Sequence, residues 1–278
     1  MRRFPLLVIV AVAVLAGILF VSIAGNLFTP FSPTQQNLLA RLRPPSFLGG
    51  DPRFPLGTDR IGRDLVARLI AGLRISLLVA AMGTLIGAIV GITVGFVAAH
   101  RRGWVEEVLM MIVDFQASLP FILIALTLLA FFGNSFTLFV ILMGLFGWEA
   151  YARLTRGVVL SAASQPYAQA VRALGASPWR LYSRHVFPNV ASALIVQLTL
   201  NFPQIVLLET SLSFLGLGIQ PPQTSLGQIL GEGREYLSSA WWIAVWPGIL
   251  IFTVTLCMSI IGDWLRDWLD PTLQERQA

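Results

Sequence analysis

An all-α integral membrane protein with six transmembrane helices is the fold class this sequence predicts, and three observations carry it. Hydrophobic residues make up 56% of the 278 residues and charged residues only 12%, about half the share of an ordinary soluble domain. The apolar residues come in long uncharged runs, several of them longer than the roughly 20 residues one helix needs to cross a bilayer. The charged residues gather between those runs, and all 19 basic residues are arginine, since the chain contains no lysine. That absence excludes Schiff-base chemistry and a Walker A loop, whose lysine must reach the nucleotide phosphates. The net charge of +5 is spread among the loops between spans, which points to membrane topology and not to nucleic acid.

Arg2 and Arg3 precede the first run, Phe4 to about Gly25, which exceeds a signal-peptide core and reads as a retained anchor. From Asn26 to Arg74 prolines, glycines and charges indicate an extended loop. Inside it, Gly62 to Arg74 reads as a short amphipathic helix, with Leu65, Val66, Leu69 and Leu73 near one face. Residues 1–72 thus form an anchor plus extracytoplasmic loop, 73–263 the five-helix transmembrane domain, and 264–278 a cytoplasmic tail. The second span, Ile75 to Ala99, carries Gly83, Gly87, Gly91 and Gly95 at every fourth position. Residues four apart share one helix face, and such a stripe of small residues lets another helix approach closely in lipid.

Arg101, Arg102 and Gly103 close the second span. The third begins near Trp104, carries Asp114 and Pro120, and ends at Gly133-Asn134-Ser135; the fourth runs from Phe136 to about Thr155. Arg153 to His185 holds five arginines and no acidic residue, which assigns it to the cytoplasmic side. A fifth span covers about Val186 to Leu217, with Asn201 and Pro203 inside it, and a sixth Ala240 to Gly262. Six spans place both termini in the cytoplasm. Cytoplasmic segments then hold eleven arginines and the outside loops eight, seven of them in the first loop, so the positive-inside rule is met by a narrow margin. Cys257 lies in an apolar run and reads as a small packed hydrophobe, and neither His100 nor His185 has a second ligand-type residue at metal-site spacing.

Three carboxylates fall in or beside apolar spans, where an ionised group is costly. Glu149 has Arg153 one turn along and reads as an interfacial pair. Glu209 calls for hydrogen bonds, and Asp114, upstream of Pro120, is a candidate pathway residue beside a bend.

Within the basic interval, Ser164 can cap a helix with Pro166 in its first turn, and Gly175 ends it. Ser177 and Pro178 can start a second. The first is only about 12 Å long, too short to persist unless it docks on something. Tyr167, Gln169, Ala170, Val171, Arg172, Leu174 and Gly175, followed thirteen residues later by Pro188, resemble the cytoplasmic loop signature of ABC importer permeases. That signature reads Glu-Ala-Ala, three residues, Gly, nine residues, Ile-x-Leu-Pro. Gln169, Val171, His185 and Phe187 depart from it. Leu56-Gly57-Thr58-Asp59 with Gly62-Arg63-Asp64, Arg184 to Asn189, Leu212 to Gly218 and Gly262 to Asp267 with Leu269-Asp270-Pro271 are similar to the second permease of dipeptide and oligopeptide importers.

The resemblance implies a type I ABC importer transmembrane domain in a bacterial cytoplasmic membrane. It implies a homologous permease as heterodimeric partner, two ATPase subunits that use the ATP, and an extracytoplasmic solute-binding protein; the chain itself is non-catalytic and binds no cofactor. The short helix becomes the coupling helix, with Arg172 offering hydrogen bonds to an ATPase groove. Related permeases also serve nickel and other small solutes, and a proton-coupled secondary transporter, which would use buried carboxylates and internal repeats, is the rival from another class.

Overall fold

The computed structural model describes residues 5–269. Arg2 and Arg3 before the first span, and Asp270 and Pro271 of the C-terminal motif, lie outside the described residues. Among the described residues the elements are helical, and one isolated antiparallel bridge joins Thr58 and Asp64. Five helical stretches are long and apolar enough to cross a membrane, and a sixth is obtained when the bent pair Trp104–Ser118 and Phe121–Phe132 is taken as one span.

Helix α1, Leu6–Ala24, is apolar all round and packs on the last helix. A loop follows that is folded on itself and not extended, with short 3-10 turns at Leu38–Ala40 and Ser46–Leu48. Buried Thr58 organises it: its hydroxyl donates to the Ala40 carbonyl and accepts from the Arg43 amide, and its carbonyl receives the Trp242 indole N–H at 3.2 Å. Gly57, with φ +87°, makes the sharp turn that brings this strand of loop against Trp242.

Helix α2, Leu65–Arg101, spans 37 residues without interruption. The short amphipathic helix expected over Gly62 to Arg74 is therefore the first three turns of the second span, and a domain boundary at residue 72 falls inside a helix. No breaker separates the two segments, and the buried Leu65, Leu69 and Leu73 continue as a core-facing stripe. Arg74 reaches back to α1, its guanidinium donating to the carbonyls of Ser22 (2.9 Å) and Ile23 (3.3 Å) at that helix's C-terminal end.

The third and fourth spans are both interrupted. Helix α3, Trp104–Ser118, and α4, Phe121–Phe132, meet at Leu119-Pro120 with an 86° bend, as the proline's missing N–H and ring sterics favour. After the turn at Gly133, Ser135 caps α5, Phe136–Gly144, which breaks at Leu145 to Gly147 before α6, Trp148–Ala163. The fourth span thus does not end near Thr155 but continues two turns further. Helices α5 and α6 carry the apolar face on which α2 lies.

Two short helices follow, α7 (Pro166–Ala173) and α8 (Pro178–Leu181), then a π-turn at Tyr182–Val186 that runs into α9, Phe187–Phe214. Ser164 does not cap α7; it ends α6, and its hydroxyl donates to the Ser161 carbonyl at 2.8 Å. Ser177 caps α8, accepting from the Arg180 amide at 3.3 Å. Helix α10, Leu226–Gly233, tucks between α9, α11 and α2. Helix α11, Trp242–Leu269, runs past Gly262 by two turns, so the start of the expected tail is helical; a single glycine facing Thr199 and Leu200 is a close contact and does not break a helix. Cys257 packs in this helix, buried.

Candidate functional site

Two regions gather the residues that sequence singled out. The first is α7. Its one fully buried side chain, Ala168, and half-buried Val171 sit in a cluster with Val159, Ala162, Leu181 and Val186. This anchors α7 beneath the ends of α2, α6 and α9. Gln169 donates to the Ser164 carbonyl at 2.9 Å, fixing the entry to the helix. Tyr167, Gln169, Ala170, Arg172 and Leu174 point outward, and Leu174 is 86% exposed. Gly175 has φ +77° and open space around it, and the Ala176 amide bonds back to the Val171 carbonyl at 3.3 Å, closing a Schellman-like stop. Val171, another residue of the signature, is turned inward by the helix and packs against this cluster.

The second region lies halfway along the helices. A Cβ added to Gly83 would stand 2.9 Å from Met143 Cβ, to Gly87 3.0 Å from the Gly144 carbonyl, to Gly91 2.3 Å from the Trp148 carbonyl and to Gly95 2.6 Å from the Ala152 carbonyl. The glycine stripe therefore lies flush on α5 and α6, and Gly87 sits level with their break. Gly87 is fourteen residues before Arg101, about 21 Å along the axis, which puts the break near mid-bilayer depth. Gln116 bridges it: its amide donates to the Leu145 carbonyl at 2.7 Å and accepts from the Trp148 indole at 2.6 Å. Asn201 of α9, buried, lies against Gly147 in the same break. Sequence reasoning passed over Gln116, although a glutamine between Asp114 and Pro120 in an apolar span was the available signal.

Asp114 lies on the outward face of α3 in line with Glu107, Met111 and Ser118, three and four residues apart. It is exposed and makes no ion pair or side-chain hydrogen bond among the described residues. Glu149 is not paired with Arg153: one of its oxygens is buried without a partner, and Arg153 points outward. The ion pair that joins α3 to α6 is Glu106 with Arg156, about two turns further along α6. Glu209 is fully buried and accepts from Ser76 (2.9 Å) and Ser213 (2.7 Å), while Ser76 Oγ accepts from the Leu226 amide at 3.1 Å. That carboxylate is a structural knot between α2, α9 and α10.

At the far end, three of the first loop's seven arginines are held in ion pairs. Arg63 and Arg68 share Asp59 and Glu232, and Arg53 pairs with Asp51, whose carboxyl its hydrogen bonds hold down at about 2.

These features define a multi-pass α-helical membrane subunit with interrupted spans and one exposed short helix on its basic side, the class of a transporter permease. The chain belongs to the family described as binding-protein-dependent transport system inner membrane component, whose model matches residues 91–275. It is 39% identical over 258 residues to a di/tripeptide transport system permease protein, DppC, of Pseudomonas aeruginosa, covering 92% of this chain and 85% of the relative. It is 39% identical to the dipeptide permease protein DppC of Escherichia coli (93% and 86% covered) and 35% identical to an oligopeptide permease protein, OppC, of Mycobacterium bovis (94% and 90%). Its fold is that of the inward-facing MetNI methionine ABC transporter chain, with TM-score 0.58 at 20% identity over 73% of this chain and 96% of that one. The likeness extends to an amino acid ABC transporter at TM-score 0.54 and 16% identity, over 71% and 92%. The chain is thus a type I ABC importer permease.

Proposed function

We propose that this permease forms, with a homologous permease, the pathway by which di- or oligopeptides enter a bacterial cell, driven by two separate ATPase subunits and supplied by an extracytoplasmic solute-binding protein. The observation that carries the coupling part of this reading is α7: an eight-residue helix anchored by Ala168 and offering Tyr167, Ala170, Arg172 and Leu174 outward. Exposed apolar side chains on a helix outside the spans mark a surface for a partner. The basic interval around it belongs in the cytoplasm, which puts both termini there as well.

The pathway runs past Asp114 and the bend after it. Non-helical backbone at membrane depth persists only where it is buried in protein or lines a watery cavity, and Leu119-Pro120 is exposed on this chain. An unpaired carboxylate beside it is likewise excluded from lipid. The peptide substrate is supported by relatives named for di-, tri- and oligopeptides that span nearly the whole chain. The decisive experiment purifies the chain from native membranes, identifies its bound subunits, and reconstitutes them for uptake of labelled peptides. ATP-dependent peptide accumulation that survives collapse of the proton gradient is expected. Uptake that needs the gradient and not ATP, or nickel uptake without peptide uptake, would overturn it.

A further inference from the structure

Two recesses meet where α2 ends beside α8 and α9. The larger, about 750 Å³, is lined by Ile92, Phe96, Val97, Trp179 and Phe187 with Arg101 at its edge. The smaller, about 360 Å³, holds Arg102 and Arg172. His100, Pro178 and Tyr182 form the wall between them, and neither recess has an acidic residue in its lining. The apolar part climbs α2 into its spanning segment, while Arg101 and Arg102 lie at the end of that span and Arg172 on the neighbouring α7. None of the three makes an ion pair or side-chain hydrogen bond among the described residues. Val97, Trp179 and Phe187 are exposed.

This gradient, apolar within the bilayer and cationic at its edge, is the profile of a phospholipid. Basic pockets between spans at the cytoplasmic face suit anionic headgroups, and guanidinium groups match phosphate oxygens in pairs. A water-soluble subunit docked on α7 covers Tyr167, Ala170 and Leu174, whereas Arg172 also borders the smaller recess, and the apolar groove along Ile92, Phe96 and Val97 runs up α2 beside the spanning segment, away from that subunit. We propose that the composite recess binds an anionic phospholipid, with one acyl chain along Ile92, Phe96 and Phe187 and the phosphate shared by Arg101, Arg102 and Arg172. Such a lipid ties the end of α2 to α7. Binding stands without the coupling role assigned to α7; only its effect on transport rests on that reading.

The test uses the full chain purified in mild detergent, titrated with phosphatidylglycerol, phosphatidylcholine or inorganic phosphate, with retained lipid counted by native mass spectrometry. Wild type is expected to retain phosphatidylglycerol at least threefold over phosphatidylcholine. The double variant Arg101→Gln/Arg102→Gln should lose that preference while keeping its helical content and elution volume, and Arg101→Lys/Arg102→Lys should keep it. Val97→Trp, which fills the groove, should lower retention of both lipids. In the assembled transporter, a photo-crosslinker at Val97 should yield a lipid adduct. Equal preference in the glutamine variant, displacement of lipid by millimolar inorganic phosphate alone, or a crosslink to a protein subunit would each overturn the proposal.

Discussion

Arg68 of α2 grips both carboxylate oxygens of Glu232 in α10, at 2.9 and 3.1 Å, across 164 residues of sequence. The same guanidinium holds Asp59 at 2.8 Å, and Arg63 closes the four-membered set. Arg68 is 1% exposed, so removing it leaves buried Asp59 and half-buried Glu232 with half their countercharge. Breaking a buried pair costs about 3–5 kcal/mol. Arg68→Ala should therefore lower the chain's accumulation in the membrane and its thermal stability in detergent far more than Arg53→Ala, whose exposed pair contributes little. Equal effects of the two substitutions would contradict this.

The glycine stripe gives a graded prediction. A side chain at Gly91 meets backbone at 2.3 Å, which cannot swing aside. Gly91→Leu should abolish assembly, beyond the usual 1–3 kcal/mol of overpacking. Gly17→Leu, at a position with nothing within 4 Å, should be tolerated. Quantifying folded protein by fluorescence-detected size exclusion separates the two.

Ala170 is exposed and Gly175 faces open space, so neither site is crowded within this chain. Ala170→Trp should insert and fold normally yet reduce ATPase association or uncouple hydrolysis from uptake by an order of magnitude. Gly175→Asp should do the same with some loss of stability, because its φ of +77° disfavours a side chain. Normal transport in both, with ATPases bound, would remove α7 as the coupling element.

Glu209→Ala leaves the hydroxyls of Ser76 and Ser213 without their acceptor in the core. An unsatisfied buried group costs about 1–3 kcal/mol. Glu209→Gln, which keeps an acceptor oxygen, should lose less. Thermal unfolding of both variants measures the order, and the reverse order would mean that the carboxylate is not held as a knot.

A chain with no lysine lacks the residue a phosphate loop needs. The rigorously purified single chain should show no ATP hydrolysis above buffer, and activity should appear only with separate ATPase subunits. Turnover by the chain alone would refute this.

What the sequence determined by itself is the set of features that depend on local chemistry: apolar runs long enough to span, the prolines at 120, 166 and 178, the stop at Gly175, and the four-residue period from Gly83 to Gly95. Each follows from backbone sterics or from one helix's own periodicity, so no distant residue can change it. The tertiary structure decided the rest. Arg68 reads as one more loop cation until Asp59 and Glu232 close around it. Gln116 reads as an incidental amide until it bridges the break between α5 and α6. Val171 lies in the signature, yet packing against Leu181 and Val186 turns it inward. Glu149 and Arg153, one turn apart, stay unpaired because the helix sends one into the protein and the other out. Burial and pairing depend on which residues meet across separations that run from ten positions, as for Val171 with Leu181, to 164, as for Arg68 with Glu232, and a one-dimensional pattern of apolar and polar residues does not encode those meetings.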